Sequence, residues 1–224
     1  MLGTFDVNGK KKIVCVCEEF TSDGSVLYDF CSIKNTIIDS EHEGTGTDLS
    51  DLLETIEKQQ FVNSSELLDH FWNVFIIDTM LGNFDRHNGN WGFLYHNASN
   101  ESEIAPVFDC GSCLLPQADE KIMEKILNDE DELNARIYRF PTSAIQYKGK
   151  KINYYDFLSS LVDENCISAL VRMIPRINFE KINSFIDAEE YLSETAKKFY
   201  KYYIYQRYEK ILMTVYKKLV TQME

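Results

Sequence analysis

The 224-residue sequence contains few prolines, a minority of basic residues and no long apolar run. Its four prolines are scattered, so no proline-rich linker or low-complexity segment divides the chain. No apolar stretch approaches the ~18 residues that a membrane helix needs, and the N-terminus lacks the apolar stretch of a secretory signal. We therefore expect a cytoplasmic protein without a membrane segment.

Basic side chains are outnumbered, since 23 Lys and Arg stand against 36 Asp and Glu, a formal net charge of −13. A surface of this sign repels polyanions, which argues against direct binding of nucleic acid or of an anionic membrane. Lysines cluster only toward the C-terminus, in a tyrosine-rich helical pattern. We expect the apolar positions of that pattern, such as Ile204, Ile211 and Val215, to pack on the chain's own core.

Cysteine is also too sparse for a disulfide scaffold, and the six cysteines predict reduced, mostly buried thiols. Cys15 and Cys17 alternate with valines, which predicts small apolar positions in a strand. Cys110-x-x-Cys113 has the spacing of a metal or redox motif. Structural zinc needs four ligands, and no second pair of cysteines or histidines lies near this one in the sequence, so a zinc site is not expected.

The hydropathy pattern predicts a short β-rich start and a helical remainder. Asp6-Val7-Asn8-Gly9 predicts a hairpin turn before a buried strand at residues 12–20. A long helix is expected to follow Ser64 or Ser65 as its N-cap and to stop at Gly82-Asn83. A second hairpin should follow, with strands at residues 91–95 and 104–108. From about residue 120 the chain reads as largely helical, with a capping box at Asp187.

Polar side chains are densest in the loops around the second hairpin. They are Asp85, Arg86, His87, Asn88, Asn90 and Asp109. Each one alone is explained by a turn or a helix cap. Together, an Asp, an Asn five residues later and a second Asp beyond a hairpin provide one base and two oxygen ligands for Mg²⁺, as phosphoryl transfer requires. The protein-kinase catalytic loop has the same offset between its Asp and its Asn, and Asp109-Cys110-Gly111 corresponds in position to D-F-G.

Two segments, LGNFDRHNGNWGFL and IAPVFDCGSCL, resemble the HipA-like Ser/Thr kinases, whose motifs have the forms N-x-D-R-H-x-x-N and A-P-x-F/Y-D. The resemblance implies ATP and Mg²⁺ as cofactors. Asp85 would be the catalytic base, and Asn90 and Asp109 the metal ligands. His87 would stand near the phosphates or orient the loop. A weaker similarity implies that Glu18, Glu19 and Phe20 lie near the adenine at the hinge between lobes.

The implied fold is α+β and mainly α: a kinase-like C-lobe with a short N-terminal β-hairpin and a catalytic-loop β-hairpin. Residues 1–224 would form a single HipA-like C-terminal domain, with a hinge-proximal β segment at 1–25 and the helical lobe at 26–224. The family's phosphate-covering loop and strand lysine have no counterpart in the sequence, so weak or absent transfer is expected. The resemblance further implies a bacterial toxin–antitoxin setting, an unknown protein substrate and a DNA-binding antitoxin-type partner.

Two other functions stay open at this stage. One is a pseudokinase or interaction module, perhaps completed by another chain, which an exposed apolar strand edge at residues 13–17 would favour. The other is a metal-dependent phosphohydrolase that uses the same Asp and Asn side chains on a different fold. No histidine-rich metal pattern accompanies these carboxylates, which disfavours the phosphohydrolase.

Overall fold

The computed structural model describes residues 2–21, 24–38 and 44–223. Within them, the β-strands form three small antiparallel sheets. The first pairs β1 (Leu2–Val7) with β2 (Lys10–Cys15), the second has the order β3 (Ser25–Asp29), β4 (Gly92–His96), β5 (Glu101–Ile104), and the third pairs β6 (Gln146–Tyr147) with β7 (Lys150–Lys151).

Helices make up most of the described chain, which confirms the predicted α+β, mainly α class. They are α1 (Phe30–Ile37), α2 (Leu49–Lys58), α3 (Ser64–Leu81), α4 (Glu120–Asn128), α5 (Glu130–Tyr138), α6 (Tyr154–Ser160), α7 (Glu164–Met173), α8 (Phe179–Ala188), α9 (Glu194–Arg207) and α10 (Thr214–Met223). A π-helical segment, Tyr208–Met213, joins α9 to α10. None of the helices in the described ranges combines the length and apolar character needed to cross a membrane.

Helix α3 is the centre of the core. The Asn63 side chain caps its first turn by accepting hydrogen bonds from two backbone N–H groups, at 2.9 and 3.1 Å. Trp72 and Phe75 are buried and pack edge to face, with ring centroids 5.4 Å apart. Phe157 of α6 stacks on Trp72 at 6.0 Å. Aromatic pairs in these arrangements stabilise a core beyond the area that they bury, so α3 has a fixed position and its C-terminal end can hold a site.

The β3–β4–β5 sheet fixes the chain that follows α3. Tyr28 and Asp29 on β3 approach Gly92 on β4 so closely that a Cβ at position 92 would lie 2.1 Å from the Tyr28 carbonyl oxygen. Just beyond the strands, Phe30 and Trp91 stack with ring centroids 3.9 Å apart. The residues immediately before Trp91 are thereby held against the core.

The basic C-terminal helices pack on the chain's own core, as the sequence predicts. Ile204, Ile211 and Val215 are buried. Arg207 is also fully buried; its Nε donates to the Thr79 carbonyl at 2.8 Å, at the C-terminal end of α3. This contact connects α9 to the last turn of α3.

The N-terminal hairpin has the predicted turn, but its second strand differs from the prediction. β2 ends at Cys15 and not at Phe20, and Ile13 is 55 % exposed, so the expected buried strand is wrong. A β-rich apolar run shows which residues can form a strand, but it does not show what covers that strand.

The prediction of mostly buried thiols is also wrong, because of the six cysteines only Cys166 is buried.

Several predicted boundaries also shift. Asn63, and not Ser64 or Ser65, caps α3. Asp187 lies inside α8, and Ser193 caps α9, so the predicted capping box is wrong. Strand β5 spans Glu101–Ile104 and shares only Ile104 with the strand predicted at residues 104–108, so that prediction is wrong. Local patterns leave boundaries open because neighbouring residues compete for the same cap and tertiary contacts choose between them.

Replacing Gly92 with alanine tests whether close strand packing limits stability. The added methyl group overlaps the Tyr28 carbonyl, so we expect Gly92→Ala to lower the free energy of unfolding by about 1–3 kcal/mol in urea titrations. Gly111→Ala is the control, because a Cβ there meets its nearest neighbour, an Asp109 carboxylate oxygen, at 3.7 Å. Equal stability of the two variants would contradict this account of the sheet.

Candidate active site

The C-terminal end of α3 begins the candidate site. The helix stops at Gly82, which has the left-handed φ of 66°. The next residue, Asn83, is fully buried, and its Nδ2 donates to the Asp78 carboxylate at 2.9 Å. Its Oδ1 accepts from the backbone N–H of Asp85 at 3.0 Å, and the Tyr154 hydroxyl donates to its carbonyl. Asn83 therefore fixes where the backbone of Asp85 leaves the helix.

The guanidinium of Arg86 joins the two predicted loops. Its Nε donates to the Asp78 carboxylate at 3.0 Å, and both side chains are nearly completely buried. Its Nη1 donates to the carbonyls of Asn90, at 2.8 Å, and Phe108, at 2.6 Å. Burial alone would lower the pKa of Arg86, but the hydrogen bonds and charge of Asp78 outweigh it and raise that pKa. The guanidinium stays charged, and the Asn90 loop and the chain before Asp109 meet at one of its nitrogen atoms.

The loop between Asp85 and Asn90 is closed on itself. The Nδ2 of Asn90 donates to the Asp85 carbonyl at 2.8 Å, and the backbone N–H of His87 donates to the same oxygen at 2.8 Å. Because the amide nitrogen of Asn90 is engaged, its amide oxygen is the atom suited to a cation. His87 is exposed, and its Nδ1 accepts from the Gly89 backbone at 3.0 Å. This bond caps the short 3₁₀ turn Asn88–Asn90, so His87 orients the loop.

The two carboxylates of the predicted site, Asp85 and Asp109, are exposed. Neither makes a side-chain hydrogen bond or ion pair with another described residue, so neither is used as a helix cap. Asp109 has a left-handed φ of 50°, a conformation that costs energy in a residue with a Cβ. In the described ranges no three His, Cys, Asp or Glu side chains are grouped as a metal site. One carboxylate and one amide oxygen suit Mg²⁺, which takes its other ligands from phosphates and water.

Two supporting residues have roles that sequence reasoning does not assign. Asn88, which a turn alone would explain, is buried, and its Nδ2 donates to the carbonyls of Gly44, at 2.7 Å, and Gly46, at 2.9 Å. Asp78 is the buried partner of Arg86. The sequence feature that could have revealed Asp78 is its position: it is an acidic residue at helical spacing from Phe71 and Phe75, on an otherwise apolar helix face.

The predicted hinge residues are brought only partly to the site. The Phe20 ring packs against Phe108, the neighbour of Asp109, with centroids 5.9 Å apart. The Glu19 carboxylate is used locally, since it accepts hydrogen bonds from the Thr21 hydroxyl and backbone N–H, which lower the pKa of Glu19. Glu18 is exposed. Of the three, Phe20 therefore lies beside the second motif, and the adenine assignment stays a prediction.

Next to Asp109 lies the Cys110–Cys113 pair. A hydrogen bond from the Cys113 thiol, together with the Arg86 guanidinium 3.5 Å from the Cys110 sulfur, lowers the pKa of Cys110 to about 6. The same hydrogen bond to Cys110 and burial raise the pKa of Cys113. Cys15 and Cys17 form a second close pair, with sulfurs 3.6 Å apart.

Comparison with known proteins gives this geometry a context. A model of the HipA-like C-terminal domain matches residues 10–177. The chain is 49 % identical over 213 residues to the serine/threonine-protein kinase CtkA of Helicobacter pylori, which covers 95 % of the chain but 64 % of that protein.

A solved structure gives the same result for the fold. The crystal structure of a Helicobacter pylori proinflammatory kinase CtkA superposes with a TM-score of 0.92 at 46 % identity, over 100 % of this chain and 82 % of that one. The family match spans most of the sequence and includes both motifs. The chain therefore belongs to the family of HipA-like C-terminal domains.

Proposed function

We propose that this chain supplies the catalytic and metal-binding half of a serine/threonine protein kinase, which transfers the γ-phosphoryl group of ATP to a protein hydroxyl. One observation carries the proposal: Arg86 holds the Asn90 and Phe108 carbonyls on a single nitrogen atom, while the carboxylates of Asp85 and Asp109 stay unpaired among the described residues. A loop built only for stability would use these carboxylates in caps or ion pairs. The kinase name of the relative supports the same function.

Asp85 is the proposed base. Its backbone is fixed by Asn83 on one side and by Asn90 on the other, whereas its carboxylate is exposed to solvent. In phosphoryl transfer a carboxylate of this kind accepts the proton of the attacking hydroxyl and orients that hydroxyl. Fixing the backbone lowers the entropic cost of bringing base and hydroxyl together.

Asn90 and Asp109 are the proposed ligands of Mg²⁺. When bound, the ion would neutralise charge on the nucleotide phosphates. The protein's contribution is to hold an amide oxygen and a carboxylate on two loops that share Arg86. His87 caps the turn between base and ligand, and Phe20 provides an apolar ring near Phe108 for the nucleotide side of the site.

The chain spans less than two thirds of the curated kinase that it matches. For the whole protein we accordingly propose kinase activity on a protein substrate and a DNA-binding antitoxin-type partner. The net charge of −13 favours a basic partner in any such assembly.

Removing the proposed base should separate catalysis from binding. We expect Asp85→Asn to lower phosphoryl transfer by about 10²–10⁴-fold, the usual contribution of a general base, with Mg²⁺-dependent nucleotide affinity kept. Asp109→Asn should instead weaken that affinity. Transfer is followed with radiolabelled ATP and a mixed protein acceptor, and affinity by calorimetry with and without Mg²⁺.

Asp131→Asn is the matched control, because Asp131 is exposed in the first turn of α5, in a different part of the sequence. It should leave transfer and affinity at the original level. Transfer that persists in Asp85→Asn would show that another group is the base.

Arg86 should act as a positioning residue. Arg86→Lys keeps a positive charge but cannot reach Asp78, Asn90 and Phe108 together, because lysine lacks the planar fork of donors. We expect about 10–100-fold weaker Mg²⁺-dependent nucleotide binding, the usual cost of disturbing groups that orient metal ligands.

Arg207→Lys is the control for this variant, since Arg207 is also buried and also donates to backbone carbonyls, at Thr79 and Arg136. Both variants should lose stability in urea titrations, and only Arg86→Lys should lose Mg²⁺ dependence at a temperature where both are folded. The same loss in both would reduce Arg86 to a purely structural role.

A second candidate function rests on the N-terminal hairpin. Phe5 is 65 % exposed and Ile13 55 %, and an exposed apolar edge of this kind favours an interaction module. A module of this kind needs neither Asp85 nor Asp109. Sedimentation of the purified chain distinguishes the two, because an interaction module that pairs through this edge should dissociate when Ile13→Lys is introduced.

A further inference from the structure

We propose that Cys110 and Cys113 are a modification site: peroxide converts the two thiols into a reversible disulfide next to the proposed metal ligand Asp109. The chemistry of the two thiols stands by itself, and its consequence for phosphoryl transfer rests on the proposed function. The pair lies in the segment that follows Asp109 and precedes α4, and no step proposed for phosphoryl transfer uses either sulfur atom.

Backbone geometry places the two residues at disulfide distance. The Cys113 backbone N–H donates to the Cys110 carbonyl at 3.2 Å, which closes a four-residue turn. The ends of a β-turn have Cα atoms less than about 7 Å apart, and a disulfide needs roughly 4.4–6.8 Å. The disulfide can therefore form without unfolding the segment.

Access distinguishes the roles of the two sulfurs. Cys110 is exposed, and the Arg86 guanidinium lies 3.5 Å from its sulfur. Peroxide can therefore reach the Cys110 sulfur directly. Cys113 is half-buried, so it is shielded from the oxidant but remains next to its partner. Cys110 is thus the attacking thiol and Cys113 the resolving one.

The reaction balances with one peroxide. The Cys110 sulfur attacks an oxygen of H₂O₂, the O–O bond breaks, and a sulfenic acid and one water result after proton transfer. The Cys113 sulfur then attacks the sulfenic sulfur, the S–O bond breaks, and a second water leaves. Two thiols have lost two electrons and two protons, and the peroxide has been reduced to two waters.

The disulfide changes the surroundings of the proposed metal ligand. The Arg86 guanidinium contacts the Cys110 sulfur and also holds the Asn90 and Phe108 carbonyls. Asp109 follows Phe108 directly and has a left-handed φ. Drawing Cys110 toward Cys113 therefore acts on the backbone of Asp109, and we expect the oxidised chain to bind Mg²⁺ and nucleotide more weakly.

The test uses the full chain before and after one equivalent of H₂O₂. After alkylation of free thiols and digestion with trypsin, residues 87–121 form one fragment that contains both cysteines. We expect this fragment to escape alkylation and to be two hydrogen atoms lighter, and dithiothreitol to restore it. Mg²⁺-dependent nucleotide affinity should fall by about tenfold or more in the oxidised chain, as for other disturbed supports of metal ligands, and recover with dithiothreitol.

Cys113→Ser should abolish both the lighter fragment and the reversible loss of affinity, with basal affinity unchanged. The double variant Cys15→Ser/Cys17→Ser is the control and should keep both effects, although Cys15 and Cys17 are also a close pair. A disulfide joining residues 87–121 to the fragment that holds Cys17, or an unmodified fragment after peroxide, would overturn the site.

The two proposals fail in different ways. If the disulfide forms and the reduced chain shows no Mg²⁺-dependent binding, the proposed kinase function fails and the modification site stands. If the reduced chain binds nucleotide and the disulfide leaves that affinity unchanged, the proposed regulation is wrong and the kinase function stands.

Discussion

A buried ion pair between Arg86 and Asp78 is the interaction on which the candidate site depends. Removing two charges from water costs several kcal/mol per ion, and this cost is offset only when the remaining hydrogen-bonding groups are satisfied. Here the guanidinium satisfies them with the Asn90 and Phe108 carbonyls, and Asp78 does so with Asn83. The hydrogen bonds that offset the desolvation cost of the ion pair also bring the two loops together.

This arrangement separates rigid from reactive groups. Asn83, Arg86, Asn88 and Asn90 are buried and hydrogen-bonded, whereas the side chains of Asp85, His87 and Asp109 are exposed. Polar groups that are preorganised by the surrounding fold need little rearrangement when charge develops in a reaction, which is the main source of electrostatic catalysis. Such a division is expected where substrate and cation must enter and leave a site of fixed geometry.

Sequence reasoning succeeded where structure is local. The end of α3 at Gly82 follows from glycine's tolerance of positive φ. It failed where burial decides. The residues of β2 form a strand, but they are exposed, because a β-rich run has the same appearance whether or not another layer covers it.

The sequence by itself determined the family, the helix-rich class and the identity of the side chains that carry the proposed chemistry, because motif spacing and hydropathy are properties of short segments. Tertiary structure alone decided that Asp78 would pair with Arg86, that Phe20 would lie against Phe108, and that Cys110 would contact a guanidinium. Each of these contacts joins separate elements of the fold. Their energies depend on desolvation and packing, which no local pattern encodes.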